Sequence, residues 1–422
     1  MKTKIIAVAV VLASFGWNVE AQTYDTNNEV VQTFAGSGFS GYLDGVGQLT
    51  MFNRPSKIAA DSFGNLFVLD GGNARIRKIT PDGTVSTFAG GGAGSLPGYG
   101  TNVDLSYYLP YSDMGSMIVD KYNNLFLTRT VNSPLLIKIA TNGYISTSSL
   151  TNFSQQSGLC VDSKNNLYYT DPNPPFSGSK IYRLRTNGVV EVFAGSGNYG
   201  YADGNGIFTS FRSPTALAID AADNIYVWDS GNFLIRRIDQ SQNVTTLAGK
   251  YQNNSSADGI GTNAAFNSIS QMCVDGSGNL ILACGNSIRK IDARTNAVTM
   301  AGNFGYSGGY ANGAGNLALF SGADGVCVSG GTIFVADSDN QRIRQISFNP
   351  QPQVVSGANL GIGTFAGVTI TGIIGRTYQI QSSSNMAAWT TRTTVLLTSS
   401  PYLWIDQNPA SGNKFYRALL LP

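Results

Sequence analysis

The sequence predicts an all-β fold: a six-bladed β-propeller over residues 30–350 with its N-terminal strand closing the last blade, then a small β-sandwich over 351–422. Three observations carry this. Three sequence markers recur six times in one fixed order, short strand-like runs alternate with turn signals, and the composition is weakly charged (12%) with 50 glycines in 422 residues. The first marker ends in Ala-Gly: VQTFAG to Gly36, VSTFAG to Gly90, VEVFAG to Gly195, VTTLAG to Gly249 and AVTMAG to Gly302, with ISTSSL to Leu150 as a degraded copy. The second starts at Gly64, Asn123, Asn165, Asp223, Gly278 and Gly331 and runs as GNLFVLD, NNLFLTR, NNLYYTD, DNIYVWD, GNLILAC and GTIFVAD. The third is IRKI at Ile76, LIKI at Leu136, IYRL at Ile181, IRRI at Ile235, IRKI at Ile288 and IRQI at Ile343.

Within one repeat these markers are strands. Ser56 to Ala60 alternates into a turn at Asp61 to Gly64, Leu66 to Leu69 is rich in β formers, Arg75 to Ile79 ends at the turn Pro81-Asp82-Gly83, and Thr84 to Phe88 follows. Four strands this short make a sheet that cannot bury both faces alone. It needs a neighbour on each side, and a ring of such blades supplies one.

Ahead of the repeats, residues 1–21 read as a secretory signal. Lys2 and Lys4 form its basic end, Ile5 to Phe15 its apolar stretch, and Val19-Glu20-Ala21 a small-x-small cleavage site. The expected location is secreted, periplasmic or cell-surface, and no later segment reaches the ~20 apolar residues of a membrane span.

The pattern FxxPxxIAxDxxGNLFVxDxxNxRIRKIxPDGxVSTFAG at Phe52 to Gly90 resembles the NHL-repeat family of propellers, which implies six blades. The likeness is specific in the first, fourth and sixth copies. Copies two and three depart from it: Arg129 replaces the Asp that ends the second strand, Asn173 to Gly178 lengthens the next loop, and the Phe-Ala-Gly is lost at Ser148 to Leu150.

Two further features follow from the order of the markers. Val30 to Gly36 precedes any other marker and is an orphan fourth strand, while the last copy, Gly325 to Ser347, has only three; pairing them closes the ring and removes two exposed edges. Beyond Pro352 the markers stop, and runs at Thr377, Thr393, Tyr402 and Lys414 are β-like. The combination Tyr378-Gln379-Ile380-Gln381, Asn385-Met386-Ala387-Ala388-Trp389 and Phe415-Tyr416-Arg417 resembles a C-terminal module of large secreted bacterial proteins, which implies surface or carbohydrate attachment, a passive cap being the alternative.

Composition restricts the chemistry. There is no histidine, and Glu20, Glu29 and Glu191 are the only glutamates, so imidazole-dependent nucleophiles, bases and zinc sites are excluded. A formal net charge of +2 without basic runs offers no nucleic-acid footprint. Cys160, Cys273 and Cys327 share one register position in the first strand and read as small core residues, a bridge between Cys273 and Cys327 being the alternative; Cys284 stands where other copies end in Asp.

The candidate functional residues lie where the second strand ends and the third begins. Asp70, Asp171, Asp229 and Asp337 end second strands, with Arg75, Lys180 and Arg342 opening third strands nearby, and either an ion pair within the blade or contact with a partner accounts for them. Asp61, Asp120, Asp162, Asp220 and Asp275, which end first strands, read as caps of tight turns. The connections into each new blade, GSGFSGYLDGVG at Gly36, GSGNYGYADGNG at Gly195, ADGIG at Ala257 and GNFGYSGGYANGAG at Gly302, are longer than turns require and share the rim with Asp70, Asp229 and Asp337. Asp44, Asp203 and Asp258 in these loops are candidate calcium ligands, although Asn312 replaces the Asp in the fourth copy; no other cofactor is expected. The expected function is that of an exported, monomeric, non-catalytic binding or scaffold protein taking a protein or glycan partner on this rim. An Asp-based, metal-assisted hydrolase or lyase in the channel is the alternative.

Overall fold

The computed structural model describes residues 29–109, 114–129, 135–150, 158–171, 179–304, 308–348, 366–370, 377–383, 388–396, 402–406 and 415–421. The leader lies outside them. Every regular element among the described residues is a strand or a single 3-10 turn.

Six antiparallel sheets of four or five strands occupy the repeat region. The first has Pro55–Ala60 innermost, then Leu66–Asp70, Arg75–Ile79 and Thr84–Ala89, with Gly45–Val46 on its outer edge. The Asp at the end of the inner strand builds the first turn. Asp61 Oδ1 accepts from the Phe63 and Asn65 amides at 2.9 and 2.8 Å, and its Oδ2 accepts from Asn65 Nδ2 at 2.8 Å. The same three bonds recur at Asp120, Asp162, Asp220 and Asp275, with the Asn always four residues on, so these carboxylates are turn caps. The turn needs a left-handed residue just before that Asn, and Gly64, Asn123, Asn165, Asp223 and Gly278 adopt φ of +81°, +63°, +69°, +60° and +80°.

The inner strands Pro55–Ala60, Met114–Val119, Leu159–Val161, Pro214–Ile219, Gln271–Val274 and Ala323–Ser329 each touch the next, and the last touches the first. The sheets are therefore blades of a closed ring. Each buries both faces: Ala59, Phe67 and Leu69 of blade one pack on Leu125, Leu127 and Ile137 of blade two, while Ile58 and Val68 meet Cys327 and Ala336 of blade six. Side chains of this kind contribute ~1.5–3 kcal/mol each when fully buried. The orphan strand closes the ring as expected. Glu29–Ala35 pairs antiparallel with Arg342–Phe348, Val31 opposite Ile346 and Thr33 opposite Arg344, and Gly313–Ala314 flanks its other side.

All four cysteines are free, and burial pushes their thiols up, that of Cys284 to about 12. The bridge weighed for Cys273 and Cys327 is not formed.

By its contacts the chain divides into a unit over Glu20–Pro350 and a second that includes Gln351–Pro422. In the second, Ala366–Ile370 pairs with Tyr402–Asp406, and Thr377–Ser383 lies between Thr390–Leu396 and Phe415–Leu420. Of these, Ala366–Ile370 is a strand beyond those expected, and the strand expected from Thr393 begins three residues earlier, at Thr390.

Candidate binding face

The loop-bearing rim is organised by a buried arginine in the third strand. In Arg75–Ile79 the side chains of Ile76 and Ile79 enter the core, and Arg77 between them is wholly buried. Its guanidinium meets four oxygens. Nη1 donates to Asp70 Oδ2 at 2.8 Å and to Met51 O at 3.0 Å, while Nη2 donates to Leu43 O at 3.0 Å and Asp44 Oδ1 at 2.5 Å. Phe52 lies under it at 5.1 Å. One cation thus fastens the end of the second strand to both limbs of the incoming loop.

Blades four and six repeat the arrangement. Arg236 binds Asp229 at 3.1 Å, Ser210 O at 3.2 Å, Ala202 O at 3.1 Å and Asp203 at 2.6 Å. Arg344 binds Asp337 at 2.7 Å, Leu319 O at 3.0 Å, Ala311 O at 2.7 Å and Asn312 at 2.9 Å. In blade five Cys284 takes the place of the inner carboxylate, and Arg289 binds Ala265 O, Ala257 O and Asp258 at 2.6, 2.6 and 3.0 Å. Blades two and three lack the clamp. Ile137 and Tyr182 stand at the arginine position, and in blade two a buried Arg129 occupies the carboxylate's place instead, 4.5 Å from the Tyr107 ring.

This geometry corrects one expectation. Asp70, Asp229 and Asp337 are completely buried and Asp171 nearly so, so none presents a carboxylate to a partner. Burial pushes the Asp229 carboxyl up to about 6 against the pull of Asn232, the Arg212 amide and Arg236. The candidate calcium ligands each lie against a buried arginine. Asp44, Asp203 and Asp258 face a guanidinium, and their second oxygens accept the amides of Thr87, Thr246 and Thr299 at 3.1, 3.0 and 2.9 Å. The cations at the Asp-Gly turns are Arg77, Arg236 and Arg289, and in blades one and six the buried arginine stands two residues beyond Arg75 and Arg342. Asn312 serves as well as Asp because it too offers an acceptor.

Arg75 and Arg342 do lie on the rim, half-buried. Each donates to the carbonyl two residues before it, Asn73 O or Asn340 O, at 2.9 Å, and each lies beneath a loop tyrosine, Tyr42 at 4.2 Å and Tyr310 at 3.9 Å. Gly38 adopts φ +92°, a left-handed conformation that favours glycine, and packs close to the Arg342 guanidinium. The same loops hold Phe39, Tyr42, Tyr199, Tyr201, Tyr251, Phe304 and Tyr310 between 40% and 71% exposed. Large aromatic side chains so placed combine apolar area with a polar edge, as recognition surfaces do.

The ring axis is different in character. Blades one and five, which flank the sixth, meet along the inner face of its Ala323–Ser329 strand. Lys57 Nζ donates to Ser270 O at 2.9 Å and Asp324 O at 3.5 Å, and Gln271 exchanges bonds with the Ile58 carbonyl at 2.8 Å and amide at 3.4 Å. Gly325 permits this approach, because a Cβ there would lie 2.7 Å from Ser56 O. Burial lowers the Lys57 amine, opposed by Asp324. Among the described residues no group of three or more Asp, Glu or Cys side chains is placed to hold a metal ion.

Residues 320–346, which span the three inner strands of blade six, match the NHL repeat family. Similar solved structures include two auxiliary nutrient binding proteins. That from Bacteroides thetaiotaomicron VPI-5482 is 16% identical with a TM-score of 0.59 over 76% of each chain, and that from Bacteroides ovatus ATCC 8483 is 15% identical with 0.57 over 78% of each. A protein of unknown function from Bacteroides thetaiotaomicron VPI-5482 is 18% identical with 0.58 over 76% of each. No curated protein matches. The molecule is an all-β propeller, and residues 320–346 of it match one NHL repeat. No helix among the described residues is long and apolar enough to cross a membrane.

Proposed function

We propose that this is an exported, monomeric, non-catalytic binding protein that takes a protein or glycan partner on the loop-bearing rim. The observation that carries the reading is the set of exposed loop aromatics on connections that buried arginines hold in place: a rigid display loses little ordering entropy when a ligand binds. The leader-like residues 1–21 support export, and the likeness to nutrient binding proteins, although it extends to fold alone, is in keeping with a binding role. Channel chemistry is the weaker reading, because the chain has no histidine and the described residues place no group of three or more Asp, Glu or Cys side chains to hold a metal ion.

An array of glycans and envelope proteins, probed with the chain from Gln22 onward, tests this. Exchanging Tyr42, Tyr201 and Tyr310 together for serine should abolish retention, whereas Lys57→Gln on the axis should leave it intact. Retention that survives the tyrosine changes and fails with Lys57→Gln would move the function to the channel.

A further inference from the structure

Blade four departs from its neighbours at one rim position. Where blades one and six carry Arg75 and Arg342 beneath a loop tyrosine, blade four carries Leu234, which is buried and leaves the equivalent Tyr201 without a cation under it. Tyr201 instead meets Tyr251, ring centroids 4.0 Å apart at 35°, both rings 40–49% exposed. Beside the pair opens a cavity of about 420 Å³, floored by Leu234 and edged by Asp203, Thr246 and Lys250. That volume falls within the range of small-ligand sites, which join apolar walls to a few placed polar groups.

We infer that this cavity is a subsite for one pyranose unit of a carbohydrate, a claim that rests on the binding role of the rim and narrows it to a place and a ligand class. A pyranose is amphipathic in the matching sense. Its C–H face is flat and apolar and would lie on the tyrosine pair, while its ring of hydroxyls needs both donors and acceptors at the edge. Lys250 is an exposed amine donor. Asp203 is an acceptor held in fixed orientation by Arg236 at 2.6 Å and by the Thr246 amide and hydroxyl at 3.0 and 3.1 Å, and its side chain remains 47% exposed. A carboxylate has about four acceptor positions, so it can still receive a sugar hydroxyl. In blades one and six the arginine already occupies the space beneath the tyrosine, which makes the subsite a property of blade four.

The test is calorimetric titration of the chain from Gln22 onward with methyl pyranosides of glucose, galactose, mannose and N-acetylglucosamine. At least one should bind saturably, and Leu234→Arg, which installs the side chain of blades one and six, should weaken it at least ~tenfold, a loss of one decade in Kd. Tyr251→Ala, a change at an exposed ring, should do the same and covers the case in which the arginine perturbs folding. Binding unchanged in both variants, or no heat with any of the four sugars, overturns the subsite. If glycans or proteins are still captured on the array in a tyrosine-dependent way, the wider rim reading stands and only the subsite falls; capture of nothing there removes both.

Discussion

Arg236→Ala is expected to destabilise the propeller by about 3–5 kcal/mol, the cost of leaving one member of a buried ion pair without its partner. With the guanidinium gone, burial acts on Asp229 without that counter-charge and its carboxyl takes up a proton, while Ala202 O, Ser210 O and Asp203 lose the donor that pinned their loop. Blade five supplies an internal control. Arg289→Ala strands no inner carboxylate, because Cys284 stands there, and should cost clearly less. The paired change Arg236→Met with Asp229→Leu should recover much of the loss, since apolar replacements of a buried pair are often neutral. Urea denaturation of the four proteins checks this; equal losses for Arg236→Ala and Arg289→Ala would contradict the clamp.

Deleting Val30 to Ala35 should have the second large effect. The strand forms six register pairs with Arg342–Phe348 and buries Val31 and Ala35 completely. At ~1 kcal/mol per hydrogen bond and ~2 kcal/mol for Val31, the loss is a large share of a typical 5–15 kcal/mol stability. It also opens an unpaired edge on Arg342–Phe348, a template for aggregation. The melting temperature of the whole ring should fall, because closure couples the first blade to the last. An unchanged, cooperative melt would show that the strand is an appendage.

The closure was legible because an orphan copy of one marker has only one place to go, and the turn caps because Asp and Asn four residues apart can satisfy each other locally. The clamp was harder to read. Arg77 and Asp44 are 33 residues apart, and aligning like with like says nothing about which two markers touch. Arg75 stood nearer to Asp70 in register, so it drew the pairing that belongs to Arg77. The signal lay in variation between copies: where the third strand keeps its arginine the incoming loop reads Asp-Gly or Asn-Gly, and where blade two has Ile137 the loop reads Gly98-Tyr99-Gly100. The blade-four cavity gave no motif at all, since it arises from one Leu in place of Arg and one added Tyr.

Partners are expected to meet the loop-bearing rim. Hydrogen–deuterium exchange of the chain with and without the tightest-binding pyranoside tests it most directly. Protection should concentrate in residues 199–205 and 246–252, around Tyr201 and Tyr251, with the inner strands unchanged. Protection confined to Pro55–Ala60 and Gln271–Val274 would place the ligand on the axis and contradict the account.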